Sequence, residues 1–208
     1  MTIKDLFPDA DIIAKFISEV TRDWSDASDQ DDVFEIRCLG EGQAPVTRSF
    51  RLSAADQAVD LAVRMNQSRL NVYMTINPID CYSSIAAGKS ATDNDILRAH
   101  YNFADADDEQ GLVGLKELAK SIDPDIIVTT GTIPYERQHY YWGLKEPCRD
   151  LELWRRVQVD IATQFGTDTT VINPSRIMRV AGSVTYPNVN KRGRRYVPEL
   201  VSMRVRAG

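Results

Sequence analysis

Apolar residues in this chain recur at two spacings, helical and strand-like, and the two alternate irregularly along its length. Ile12, Ile13, Phe16, Ile17, Val20 and Trp24 follow the helical spacing after the start signals of 9–11. A polar loop over 25–32 leads to an alternating strand over 33–39, with Val33, Glu35 and Arg37 on one side. A second strand over 48–52 ends at Ser53, whose spacing to Asp56 resembles a capping box for a helix reaching Met65. Further strands are expected over 70–76, 100–107, 126–130 and 138–144, and helices over 92–99, 111–121 and 150–165. Leu151, Trp154, Val157 and Ile161 form the apolar stripe of the last helix. Residues 81–91 read as a mobile loop, and the chain from Val171 onward as turns and short strands. This irregular order argues an α+β or mixed α/β fold around a partly antiparallel sheet.

With 208 residues, of which 43% are hydrophobic and 26% charged, the chain can bury a core of its own as one domain. No apolar run approaches the length that crosses a bilayer, and Met1-Thr2-Ile3-Lys4-Asp5 lacks the regions of a signal peptide. Cys38, Cys81 and Cys148 are odd in number and far apart, so a reducing, cytoplasmic setting is expected. The net charge of −5 hides an asymmetry. From residue 176 onward Arg176, Arg179, Lys191, Arg192, Arg194, Arg195, Arg204 and Arg206 face a single acid, Glu199. Such an end can grip phosphate locally or simply be solvated, and charge alone leaves both readings open.

At the end of the expected strand over 100–107, Asp105 and Asp107 flank Ala106, and the period of a strand puts both carboxylates on one face. Two carboxylates that close repel each other and lose solvation, which a divalent cation relieves. An isolated Asp-x-Asp is also commonly a solvated turn. An EF-hand is excluded by Gln110, where that loop needs glycine, and by Lys116, where it needs an acid. Asp93 and Asp95 read as helix N-terminal acids. Gly88-Lys89-Ser90 has the ending of a P-loop, but Ser83 stands in place of its first glycine.

Only two histidines are present, His100 and His139, which excludes a His-hydrophobe-His site and a three-histidine zinc site. His139, beside Tyr140, Tyr141 and Trp142, reads without context as a packed histidine. Arg176 and Arg179 offer planar donor forks for phosphate, and Gly182 would let backbone amides approach it. The plainer reading is a pair of surface arginines beside a turn. Lys191, Arg192, Arg194 and Arg195 extend the cationic stretch toward a template or primer backbone.

In this order, four segments resemble the catalytic core of the archaeo-eukaryotic primase superfamily, in its RepB-type plasmid and phage branch of primases and primase-polymerases. They are 71–78, Thr92-Asp93-Asn94-Asp95-Ile96 leading into Asp105-x-Asp107, His139-x-Tyr141-Trp142, and 176–183 with Tyr186-Pro187-Asn188 and Lys191 after it. The resemblance covers residues 70–195. It implies an αβ unit packed on a mostly antiparallel sheet like that of an RNA-recognition motif, with the active site between them. A single domain over 1–208 would then have an N-terminal part to about 68 and a catalytic part from about 69.

The resemblance further implies that Asp105 and Asp107, and Asp168 after the long helix, bind two metal ions. Hard oxygen donors favour Mg²⁺ or Mn²⁺. His139 would contact the incoming nucleotide, with Arg179 and Arg176 on its triphosphate. The activity implied is that of a DNA primase or polymerase in plasmid or phage replication. Its partners would be a single-stranded DNA template, nucleoside triphosphates and a replicative helicase. Ala181 departs from the family's usual proline and Ser183 from its usual threonine, and 134–137 lacks the glycines or serines frequent before the histidine. A non-catalytic nucleic-acid-binding replication module of the same fold is the alternative, and a metal-dependent nuclease a third reading.

Overall fold

The computed structural model describes residues 6–24 and 32–207, so the loop expected over 25–32 lies, apart from Asp32, outside the described residues. The chain runs α1 (Ala10–Thr21), β1 (Val33–Leu39), β2 (Val46–Arg51), α2 (Ala55–Gln67), β3 (Asn71–Thr75), β4 (Ala99–Ala106), α3 (Glu109–Ser121), β5 (Ile126–Gly131), β6 (Arg137–Cys148), α4 (Leu151–Phe165), β7 (Ile177–Arg179), β8 (Val184–Thr185), α5 (Val189–Gly193), β9 (Glu199–Leu200) and β10 (Ser202–Val205). Two four-stranded sheets result, ordered β2-β1-β3-β7 and β10-β5-β6-β4. Every neighbouring pair in them is antiparallel. The fold is α+β. The first sheet contains strands from both sides of residue 68.

Helix α1 starts where Asp9 accepts a hydrogen bond from the Ile12 amide at 3.0 Å. Its apolar face (Ile13, Phe16, Ile17, Val20) and Trp24 beyond it pack with Ile36, Val72 and Met74 of the first sheet. The same continuous core takes in Tyr101, Phe103, Val128 and Tyr141 of the second sheet, so one apolar interior ties the two sheets together. On the other face of the second sheet, Ala104, Ala106, Ile127, Tyr140 and Trp142 cluster with Leu112 and Leu115 of α3. Helices α3 and α4 approach so closely at Gly114 that a Cβ there would lie 1.8 Å from the Phe165 carbonyl oxygen.

β4 is an edge strand, and its outward backbone groups need partners. Helix α4 lies along it and supplies them. Trp154 Nε1 donates to the Tyr101 carbonyl at 2.9 Å, and Gln158 Nε2 donates to the Phe103 carbonyl at 2.8 Å. Gln158 Oε1 also accepts from the Phe103 amide at 3.2 Å. The amide of Asp168, past the end of α4, continues the series onto the Asp105 carbonyl at 3.0 Å.

Several local expectations give way to tertiary contacts. The helix expected over 92–99 is a single 3₁₀ turn, Asp93–Asp95, closed by a capping box between Thr92 and Asp95. Ile96 leaves it to bridge to Ile79. Asp93 serves no long helix: its carboxylate accepts from Arg155 Nη2 at 2.8 Å, Ser175 Oγ at 2.6 Å and Asn173 Nδ2 at 3.3 Å. At the start of α2 the expected capping box is not formed, because a 3₁₀ turn (Leu52–Ala54) precedes the helix and puts Ala54 at its cap. The buried face of α4 is Trp154, Gln158 and Ala162, while Val157 is 36% exposed; the face is set by the edge of β4 and not by the apolar stripe alone. Helix α5, in a stretch expected to be turns and short strands, starts where Asn188 accepts from the Lys191 amide at 2.8 Å. Among the described residues no disulfide joins the three cysteines, and no helix is long and apolar enough to cross a membrane.

Candidate active site

A cleft of about 580 Å³ is lined from both sheets. Its acidic wall comes from the second sheet. In the β4–β6 pair Asp105 is directly opposite His139, so the two side chains share a face, and His139 Nε2 lies 3.6 Å from Asp105 Oδ1. His139 Nδ1 is 3.2 Å from the hydroxyl of Tyr141, two residues along the same face. Burial, followed by the charge of Arg179, pulls His139 down to about 3, so the imidazole is neutral and its contact with Asp105 is not an ion pair. Burial, and then the charges of Asp107 and Asp168, push Asp105 well above the usual carboxylate range, against the opposing pull of Lys191 and Arg179. Its Oδ1 is buried without a hydrogen-bond partner. Asp107 lies one residue beyond the end of β4, with a side chain 51% exposed and 3.3 Å from Lys191 Nζ. Asp168 lines the same cleft, and its Oδ1 accepts from the Thr170 amide at 2.8 Å.

The basic wall comes from β3 and β7. Tyr73 is opposite Arg179 in the ladder, and Arg179 Nη2 donates to the Tyr73 hydroxyl at 2.8 Å while Nη1 donates to Asn71 Oδ1 at 2.6 Å. The guanidinium carbon lies 4.7 Å from the centroid of the Tyr73 ring. Asn71 Nδ2 reaches on to the Tyr186 carbonyl at 2.9 Å, which ties the segment after β8 to this wall. Arg176 also lines the cleft, and its Nε is buried without a partner.

Asp105, Asp107, His139, Asp168, Arg176, Arg179 and Lys191 thus come together around one cleft. Three other cations do not line it. Arg192 turns to Glu41 at 3.1 Å, Arg194 lies 5.4 Å from the Tyr196 ring centroid, and Arg195 is exposed. Gly182 does not present an amide to a phosphate. Its N–H donates to the Val201 carbonyl at 2.7 Å, and its left-handed φ of 82° serves the close approach of Asp9 and Ile13 at the start of α1. His100 does not line the cleft; its Nε2 accepts from Arg98 at 3.0 Å.

Asn71 and Tyr73, which the sequence places in a family-like segment without a site role, and Arg137 and Tyr196 also line the cleft. Period-2 alternation with buried Val72 and Met74 was the available signal for Asn71 and Tyr73. Arg137 is held locally by the Ile133 and Tyr135 carbonyls, each at 2.8 Å, but it meets the cleft through Glu199 at 3.2 Å and the Tyr196 ring at 4.5 Å, both remote in sequence.

Comparison with solved structures places this architecture. The primase-polymerase (PrimPol) AEP domain of cyanophage S-2L superposes with a TM-score of 0.65 at 21% identity, over 95% of this chain and 90% of that one. The chain has the archaeo-eukaryotic primase fold. Primase RepB′ matches with a TM-score of 0.59 at 14% identity over 92% of this chain and 56% of that one. The RepB′ catalytic domain in complex with initiator DNA matches at 0.57 and 14%, over 92% and 82%. No protein-family model and no curated protein matches the sequence, so the likeness is carried by structure.

In this primase fold the donor set suits a hard divalent cation. Asp105 offers a buried, unpartnered oxygen whose carboxylate is destabilised by burial and by two neighbouring carboxylates, and a cation relieves all three. Among the described residues no three His, Cys, Asp or Glu side chains converge closely enough to hold an ion unaided, so substrate oxygens or water would complete the shell.

Proposed function

We propose that this chain catalyses template-directed nucleotidyl transfer as a DNA primase or polymerase, in plasmid or phage replication. The observation that carries this reading is the unpaired, buried oxygen of Asp105 at a cleft that Arg179 also lines. Asp105, Asp107 and Asp168 would hold two Mg²⁺ or Mn²⁺ ions, which when bound supply Lewis-acid neutralisation of the phosphoryl and leaving-group charge. Neutral His139, with its Nε2–H toward Asp105 and the cleft, donates a hydrogen bond to a phosphate or sugar oxygen. Arg179 is held in place by Asn71 and Tyr73 before any ligand arrives and presents its charge to the triphosphate. Arg176 brings a second guanidinium with an unused N–H. Single-stranded DNA template would meet Lys191, Arg192, Arg194 and Arg195, and a replicative helicase would be the partner that exposes it. Residues 1–208 act as one catalytic domain in this reading.

The test is metal-dependent incorporation of labelled nucleotides on single-stranded DNA, with and without primer. Incorporation by the wild type that vanishes in Asp105→Ala supports the assignment, and an Asp105→Ala protein with wild-type incorporation ends it. The incomplete convergence of the acids favours one second reading, a nucleic-acid-binding replication module without turnover. That reading expects salt-dependent DNA binding and no incorporation with either metal.

A further inference from the structure

The described residues contain two non-glycine residues with positive φ, and both are arginines: Arg69 at 64° and Arg195 at 70°. Both stand just past a helix, where the Leu70 amide donates to the Met65 carbonyl at 3.1 Å after α2 and the Tyr196 amide to the Lys191 carbonyl at 3.2 Å after α5, so each arginine occupies the left-handed closing position that glycine most often fills. Each of the two is exposed and neighbours an aromatic residue that lines the cleft, Tyr196 next to Arg195 in sequence and Tyr186 near Arg69. Arg69 lies at the C-terminal turn of α2, where its amide donates to the Asn66 carbonyl at 2.9 Å. No hydrogen bond or ion pair of its guanidinium occurs among the described residues.

The ground beside Arg69 is grooved. A hollow of about 450 Å³ is lined by Arg69, Tyr186 and Arg192 and shares Glu41, Asn71, Tyr186 and Pro187 with the catalytic cleft. A second hollow of about 300 Å³ shares Arg69, Tyr186 and Pro198 with the first and carries on to Phe7, which is 67% exposed. The three hollows therefore adjoin one another in a row, with Tyr186 common to all of them. Glu41 is the only acid along the two outer hollows, and Arg192 offsets it at 3.1 Å. A free arginine, a half-buried tyrosine and an exposed phenylalanine in a groove of that kind are the parts that grip unpaired nucleotides: charge for the phosphates, ring faces for the bases.

We propose that the groove over Arg69, Tyr186 and Phe7 is a track for single-stranded DNA leaving the cleft, with the Arg69 guanidinium contacting a phosphate. This rests on the nucleotidyl-transfer reading only for the direction of the strand, since binding is measured without turnover.

The experiment is fluorescence anisotropy of oligothymidylates of about 16 and about 4 nucleotides, together with thermal unfolding of each variant. Arg69→Gly suits the left-handed closing position, so its Tm should equal or exceed that of the wild type. Its affinity for the long oligonucleotide should nevertheless fall about fivefold, with the salt slope shallower by about 0.7. Binding of the short one and incorporation on a short template should stay unchanged. Tyr186→Leu should weaken long-strand binding by about fivefold to a hundredfold with the salt slope intact, and Tyr186→Phe should restore it. Wild-type affinity and slope in Arg69→Gly would overturn the proposal. So would a lowered Tm in both Arg69→Gly and Arg69→Asn, which would make the arginine a structural residue. Tighter binding of the wild type to oligouridylate than to oligothymidylate would overturn DNA as the occupant. Loss of incorporation with these binding differences intact would count against the catalytic reading and leave the track standing.

Discussion

On the wall built by β3 and β7, both terminal nitrogens of Arg179 have partners, Asn71 and Tyr73, and the guanidinium rests on an aromatic face. On the wall built by β4 and β6, Asp105 is buried beside two other carboxylates with one oxygen unpartnered and a neutral histidine for company. The same kind of antiparallel ladder carries both. The difference is that Arg179 is satisfied by its own wall, whereas Asp105 is held against its own electrostatics by backbone pairing to β6 and by the amide of Asp168. A side chain fully partnered without ligand is preorganised for it. A wall left incomplete is stabilised when a cation arrives, and the folded core carries the cost until then.

The largest effect that can break this comparison comes from Asp105. Asp105→Ala should reduce nucleotide incorporation to background while far-ultraviolet circular dichroism stays native. Asp105→Asn should be more stable than the wild type at neutral pH without metal. The sign follows from its raised folded pKa: between the unfolded value and the folded one the native state binds the extra proton. Wild-type stability from this group therefore falls as pH rises through the folded value, and is flat below the unfolded one. A pH series of Tm for both proteins checks it, and parallel curves would remove the strain from the acidic wall.

Next in size is the response to cation. Mn²⁺ at about a hundred times its Kd should stabilise the wild type by about 2.7 kcal/mol and Asp105→Asn by much less. Equal Tm shifts in the two proteins would place the ion elsewhere. On the basic wall, Arg179→Ala should raise KM for nucleotide about tenfold with a smaller change in kcat, and Arg179→Lys should not restore it, because a lysine cannot span Asn71 and Tyr73. An unchanged KM takes Arg179 off the triphosphate. The smallest expected effect is Tyr141→Phe, which removes one hydrogen bond to His139 of about 1 kcal/mol. It should lower kcat about fivefold and move the ¹⁵N resonance of His139 Nδ1; an unmoved resonance would show that the phenol does not orient the ring.

Much of this architecture was legible because it is written locally. The helical spacing of α1, the alternation of β3 and the run into Asp105 each need only a few neighbouring residues to be recognised. The misreadings share a cause. Asp93 does open a helical turn, but one of only three residues, and Ser175, about eighty residues on, takes its carboxylate. Gly182 had the look of a phosphate turn, yet its amide belongs to Val201 and the space above it to α1. Val157 belonged to an apolar stripe of which α4 fully buries only Trp154, because Gln158 is needed at the edge of β4.

The sequence by itself determined most of the longer helices and strands, where the charge lies, and that an acid pair, a histidine and two arginines follow one another in that order. Periodicity and composition are properties of short stretches, and no partner is required to express them. Only the tertiary structure decided which of those residues meet. Asp168 joins Asp105 because an edge strand needs its carbonyls satisfied and α4 runs along that edge, and Arg179 faces them because one apolar core binds two sheets with a cleft between. Long-range hydrogen bonding and burial make those choices, and neither is a property of a residue's neighbours in the chain.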